Sequence, residues 1–514
     1  MERLGRAGVK PSVTMQTVWI LADQLSHRWS DWLKAEDLHP GNARLLFIES
    51  AAKLRARPWH RHKLALVLSA MRHFAQQMRQ AGWQVDYRQA ATFLAGLQAH
   101  VAEYAPAGFV VMRPNTWQGA QFAQRALQPY GARVLPSKFF IASPSDLGRA
   151  RSPLMESFYR KMRRRAGFLM DGNEPAGGRW NWDAENRRPP RKDWSPDAVP
   201  ALPSFAPDQI TRDVIAEVAQ IETAWGALDG FALPVTRQDA LTLYEDFLAR
   251  RLSNFGAYQD AMLSGQPWLF HAVISSSINI GVLEVSEVCA GAEQAWREDR
   301  APLNSVEGFI RQVIGWREFI CAIYWREMPG LRAMNVLGAT RPLPAFYWTA
   351  QTDMACLREC VQSVWDRGYT HHIQRLMVLC NFALLVGVSP QAVNEWFLST
   401  YVDAYDWVVT PNVIGMGLFA DGGIVGTKPY AAGANYIHKM SNYCAGCRFD
   451  PRKRIGPDAC PFNALYWDFV ARHAARLEKN PRASMAVRTL RRMNQADVAA
   501  LRAQAAAFLE RLPG

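Results

Sequence analysis

The stretch Lys63-Leu-Ala-Leu-Val-Leu-Ser-Ala-Met-Arg-His-Phe-Ala-Gln-Gln-Met-Arg-Gln-Ala-Gly82 decides how the first part of this chain folds. Leu64, Leu68, Met71, Ala75 and Met78 recur at helical spacing, and Gly82 stops the run. Short apolar runs lie on either side, at Leu45–Ile48 and Val85–Tyr87. Others occur at Val18–Leu21, Phe109–Met112 and Val134–Leu135, with helical patterns between them. Short apolar strands alternating with helices imply a parallel sheet covered on both faces. Residues 16–145 are therefore expected to form a Rossmann-like α/β domain.

Working outward, residues 1–15 carry Arg3, Arg6 and Lys10 but no apolar run of signal-peptide length, and are expected to be a disordered extension. Residues 146–236 read as a long, basic, irregular linker, marked by Met162-Arg-Arg-Arg165, Pro175-Ala-Gly-Gly178 and Arg187-Arg-Pro-Pro190. From 237 to 514 the pattern is helical throughout, with neither an internal repeat nor a low-complexity tract.

A chain of 514 residues buries a large core in two or three domains. Its net charge of +13 favours an acidic partner, nucleic acid first. No apolar run reaches the roughly 20 residues of a membrane span, so a cytoplasmic protein with no membrane partner is expected. In that compartment eight cysteines argue for metal or redox use rather than disulfides.

Cys444, Cys447 and Cys460 form a C-x2-C-x12-C cluster followed by Pro461. Cys356 is a fourth candidate, fifteen residues before His371-His372, with Cys360 as its rival one turn along. Four thiolates suit a structural zinc or an iron–sulfur cluster. Three further segments hold polar residues that a plain core would not need. In Phe270-His-Ala-Val-Ile-Ser-Ser-Ser-Ile-Asn-Ile-Gly281, hydroxyls and backbone N–H groups suit a phosphate or a helix cap. In Phe309–Phe319, Gln312 and Trp316 share one helix face. Thr400–Met416 is dense in Asp, Tyr and Asn, with Trp396 just before it.

These residues carry a resemblance. Ala22-Asp-Gln-Leu-Ser26, Ser69-Ala-Met-Arg-His-Phe74, Met155-Glu-Ser-Phe-Tyr-Arg160, Trp316-Arg-Glu-Phe319 and His371-His-Ile-Gln-Arg-Leu-Met377 occur in the order and spacing of the photolyase/cryptochrome family. The cysteine spacing resembles its iron–sulfur branch of bacterial cryptochromes and (6-4) photolyases. The resemblance implies an α/β N-terminal domain, a long linker and an all-α C-terminal domain that holds FAD. It also implies a 4Fe-4S cluster and a 6,7-dimethyl-8-ribityllumazine antenna in the first domain. Two departures stand out: Ala22 replaces a glycine of the antenna motif, and Val273-Ile-Ser-Ser276 stands where the family reads like Arg-Leu-Ser-Pro.

Carried over residue by residue, Cys356, Cys444, Cys447 and Cys460 would ligate the cluster. Ser275 and Asn279 would contact FAD, with Phe255, Gly256 and Tyr258 nearby. Asp403, Asp406 and Asn412 would line the flavin, Asn412 near N5. His372, Gln312, Trp316, Met416 and Tyr430 would face the lesion, with His371 beside them as a structural histidine. Asp23, Gln24 and Glu49 would hold the antenna, and Trp396 and Trp348 would pass electrons to the flavin.

The function implied is light-driven repair of (6-4) pyrimidine photoproducts in UV-damaged DNA by a monomer. Excited reduced FAD would donate an electron to a flipped-out lesion, and His372 would donate a proton. A cryptochrome photoreceptor on the same scaffold is the alternative. A light-independent iron–sulfur nucleic-acid-binding module is a third, and it predicts no flavin.

Overall fold

The computed structural model describes residues 15–194 and 198–512. All but Met15 of the expected disordered extension over 1–15 lies outside the described residues.

Five strands form one parallel sheet: β1 (Gln16–Trp19), β2 (Ala43–Ser50), β3 (Gln84–Ala90), β4 (Phe109–Met112) and β5 (Arg133–Leu135), in spatial order β3-β2-β1-β4-β5. The central strands are almost wholly buried, as the unbroken apolar runs require, whereas edge strands β3 and β5 are partly exposed. The helix of the opening stretch spans Arg61–Gln80. His60 caps its start by accepting from the His62 N–H, and Gly82 leaves it with φ +88°.

The expectation of an irregular linker needs correction. Helices Met155–Ala166 and Gln209–Ala219 lie within 146–236. Nor is Arg163 an exposed basic residue. It is fully buried, and its guanidinium donates to the carbonyls of Phe168, Leu169 and Trp180. Arg165 pairs with Asp146, as does Lys161. Within this run only Arg163 is spent inside the fold, while Arg164 and Arg165 stay exposed.

From Arg237 onward the described residues are helical. One continuous apolar cluster runs from the sheet (Val18, Leu45, Val110) into the helices (Ile274, Ile280, Ile314). The Leu25 N–H donates to the Ile280 carbonyl across this boundary at 2.8 Å. Gly281 sits there with φ +86°, where a Cβ would meet the Phe139 ring at 2.4 Å. Only glycine allows that approach.

Candidate functional site

A cleft opens in the helical part. Three π-helical turns wall it: Arg311–Trp316, Gln374–Cys380 and Pro411–Gly417. Such turns leave a backbone carbonyl without its usual partner and often mark functional sites. Here side chains take up the slack. Gln312 Nε2 donates to the Gly308 carbonyl at 3.0 Å, and Asn412 Nδ2 to the Val408 carbonyl at 2.8 Å. Both amides are thereby held on the cleft wall.

The cleft brings together ten of the residues singled out in sequence: Phe255, Ser275, Asn279, Gln312, Trp316, His371, His372, Asp403, Asn412 and Met416. Asp403 is the hub. Its carboxylate accepts from both Arg375 guanidinium nitrogens at 3.0 and 3.1 Å and from Ser275 Oγ at 2.7 Å. Its carbonyl accepts from Asn279 Nδ2 at 2.9 Å. Burial pushes the Asp403 carboxyl upward, but the Arg375 cation and these hydrogen bonds outweigh it and hold it below the usual carboxylate range. Of the serine run, Ser275 is committed to Asp403, whereas the Ser277 hydroxyl is buried without a partner. Val273, on the cleft wall, holds φ +58°, a rare conformation for a β-branched residue.

Three imidazoles face this cleft. His371 is 1% exposed, neither ring nitrogen has a partner, and its ring stacks on His271 at 4.5 Å and 17°. His372 is open to the cleft. Enclosure by the protein, and then the nearby Arg375, push its pKa down to about 4. Sequence reasoning assigned no role to His271, Arg375, Tyr369 or Phe397, all on the cleft wall. For Arg375 the signal was a lone arginine within a buried helical face.

Several expected site residues lie elsewhere. Gly256 is at a helix crossing, where a Cβ would lie 2.6 Å from Ser305 Cα. Tyr258 packs on Trp194 of the linker at 4.5 Å. Asp406 accepts from Tyr324, Arg332 and Thr410 instead of facing the cleft. Tyr430 is off the cleft wall, with Arg187 and Arg482 close to its phenol. Trp396 is buried behind Phe397, edge-on at 5.1 Å, and Phe397 lines the cleft. Trp396 also meets Tyr347 at 5.1 Å. The next residue, Trp348, contacts Trp225, and Trp225 contacts Trp365, which is 37% exposed. An aromatic path thus runs from the cleft to the surface.

Cys356, Cys444, Cys447 and Cys460 line one small cavity with Tyr443, Phe449 and Phe462. Cys360 is not on its wall, so geometry favours Cys356 over its rival. Among the described residues no three His, Cys, Asp or Glu side chains are gathered closely enough to hold a single metal ion. Burial, followed by mutual repulsion of the sulfurs, raises three of the thiols: Cys444 to about 11, Cys460 to about 12, and Cys356 well above the usual thiol range. Such thiols ionise only against a cation.

A second polar concentration lies at the carboxyl ends of β1 and β4, where the strand order reverses and open α/β sheets bind ligands. Gln24 Nε2 donates to the Met112 and Arg113 carbonyls, leaving its Oε1 buried without a partner. Burial raises Asp23 to about 6, against the Asn115 hydrogen bond. The Tyr405 hydroxyl, within the field of Asp23, is also buried and unpartnered. Unpaired buried polar atoms are costly, and here they suit a polar ligand. Glu49 does not belong to this group. It is bound by Arg72, Tyr87 and Gln89.

Residues 18–233 match the family described as deoxyribodipyrimidine photo-lyase-related protein. A (6-4) photolyase of Agrobacterium fabrum is 44% identical over 512 residues, covering 97% of this chain and 99% of that protein. Among solved structures, a bacterial class III photolyase from Agrobacterium tumefaciens aligns with TM-score 0.56 and 15% identity, over 98% of this chain and 99% of the other. An archaeal photolyase from Sulfolobus tokodaii, solved with two FAD molecules, aligns with TM-score 0.53 and 12% identity, over 97% and 95%. With near full-length identity of this order, and with the shared fold, the chain belongs to the photolyase/cryptochrome family.

Proposed function

We propose that this protein repairs (6-4) pyrimidine photoproducts in DNA, driven by light. One observation carries the reading: in a chain 44% identical to a (6-4) photolyase, His372, Gln312, Trp316 and Met416 share one cleft wall with the Asp403–Arg375 hub. FAD fits that cleft by the chemistry of its donors. The unpartnered His371 nitrogens, the Asn412 and Gln312 amides and the aromatic wall suit a polar, planar, anionic ligand. When bound, FAD supplies the electron that splits the lesion.

The rest falls to the chain. Arg375, Asp403, Ser275 and Asn279 form a preformed polar floor that orients whatever enters. Trp316 and Met416 offer apolar contact to an extruded base. Gln312, fixed by Gly308, presents its amide to a base edge. His372 places an imidazole N–H beside the lesion as proton donor. An anionic ligand in the cleft raises its pKa from about 4 towards the working range.

The cysteine cavity is read as the site of a 4Fe-4S cluster with a structural role. Four cysteines lining one cavity supply the four thiolates that such a cluster takes. The Asp23–Gln24–Tyr405 concentration is read as the antenna site, with 6,7-dimethyl-8-ribityllumazine as the proposed occupant. The test is chromatography of a (6-4)-containing oligonucleotide after blue light with reduced protein. Loss of the lesion supports repair. A flavin that photoreduces while no lesion disappears replaces repair with the photoreceptor reading.

A further inference from the structure

Two buried side chains join the cleft wall to the cysteine cavity. Tyr443 lines that cavity and immediately precedes Cys444. Its hydroxyl accepts a hydrogen bond from Gln374 Nε2 at 2.8 Å. Gln374 Oε1 accepts from the His371 main-chain N–H at 3.0 Å. His371 lines the cleft, and His372 follows it. Tyr443, Gln374 and His371 are 3%, 2% and 1% exposed, so water does not compete for these bonds. The His371 ring makes no hydrogen bond of its own. Its orientation rests on the stack against His271 and on the main-chain bond to Gln374. The Tyr443 hydroxyl also reaches the fully buried Cys360 thiol, which is set back from the cavity.

We propose that the cysteine cavity sets the geometry of the His371–His372 turn through Tyr443 and Gln374, which makes Tyr443 a positioning residue for the cleft. This rests on reading the cleft as the flavin site. Tyr443 is bound to the cavity by its own lining contact and by its covalent neighbour Cys444. Gln374 is a rigid fork: its nitrogen and oxygen are fixed relative to each other, so a displaced hydroxyl turns the amide and withdraws the acceptor from His371. Buried polar chains of this kind specify one arrangement when every member is satisfied.

The test compares Tyr443→Phe, Gln374→Met and the double variant in full-length, cofactor-loaded protein. Tyr443→Phe alone strands a buried amide donor, and Gln374→Met strands the His371 main-chain N–H, so each variant should melt below the parent. Iron content, read beside the melt, separates positioning from folding. The double variant is expected to keep the parent's iron content. Its bound flavin should show altered visible circular dichroism, and its FAD affinity should fall about tenfold. The His371 and His372 ring resonances, read by histidine-selective NMR, should shift. Parent-like resonances and flavin dichroism in the double variant would overturn the proposal, as would loss of iron with both histidines unmoved. A parent protein that binds no flavin would overturn the flavin reading instead, and the histidine resonances of the double variant would still decide the relay.

Discussion

Arg375 grips Asp403 through two bonds, at 3.0 and 3.1 Å, and this pair joins the His371–His372 helix to the loop that leads into the third π-helical turn. Ser275 binds the Asp403 carboxylate, and Asn279 binds its carbonyl.

Breaking this pair should be severe. Asp403→Asn or Arg375→Met leaves one buried partner uncompensated, at a cost of about 3–5 kcal/mol. Both variants should lose flavin on purification, read as flavin absorbance per chain. The pH sign follows from the carboxyl's depressed pKa. Its contribution is complete above the unfolded value near 3.9 and is lost as pH falls through the lower folded value. Thermal melts of the parent should show an acid loss in that window that Asp403→Asn lacks.

His372→Ala should abolish repair while sparing flavin, iron and most lesion affinity, since phosphate contacts and base stacking carry binding. His371→Ala should cost stability more than chemistry. With the His372 pKa pushed down to about 4 by its surroundings, repair by the parent should fall as pH rises past the value that the bound substrate confers on this imidazole. The pH profile of single-turnover repair checks this, and repair at the parent rate by His372→Ala would refute the assignment.

Purified protein should be brown-yellow with about four irons per chain. Cys356→Ser and Cys447→Ala should lose the cluster and much of the soluble yield, because metal binding contributes to folding. Cys360→Ser should retain its iron, since Cys360 is not on the cavity wall. Stoichiometric zinc without iron would count against the cluster.

Trp396→Phe should slow light-driven reduction of oxidised flavin by at least about tenfold, a cost of roughly 1.4 kcal/mol in barrier. Trp348→Phe, further along the aromatic path, should slow it too. Repair by chemically pre-reduced enzyme should survive both changes. Photoreduction at the parent rate in the double variant would place the electron route elsewhere.

Gln24→Leu should lower retention of any antenna chromophore, because it removes the buried acceptor that a ligand would satisfy. Glu49→Gln should leave antenna content unchanged and instead loosen the Arg72–Glu217 contact to the linker helix. Chromophore absorbance per chain distinguishes the two.

Much of the architecture was legible in the chain because it is local. Period and composition over 16–135 were enough for a parallel sheet, since a strand buried on both faces must read as an unbroken apolar run, as Phe109–Met112 does. Ten of the proposed site residues meet in one cleft, and most of them sit on helices with recognisable local patterns, Asp403 on a loop being an exception. What the sequence could not determine depended on partners far along the chain. Asp403 and Asp406 are three residues apart and chemically alike. One meets Arg375 on the cleft wall and the other meets Arg332 and Tyr324 away from it, and only packing chooses between them. Glu49, expected to hold the antenna, is instead bound by Arg72 and Tyr87. The depressed pKa of His372 and the Tyr443–Gln374 link are likewise tertiary facts, because desolvation and hydrogen-bond direction are properties of surroundings that no residue carries alone.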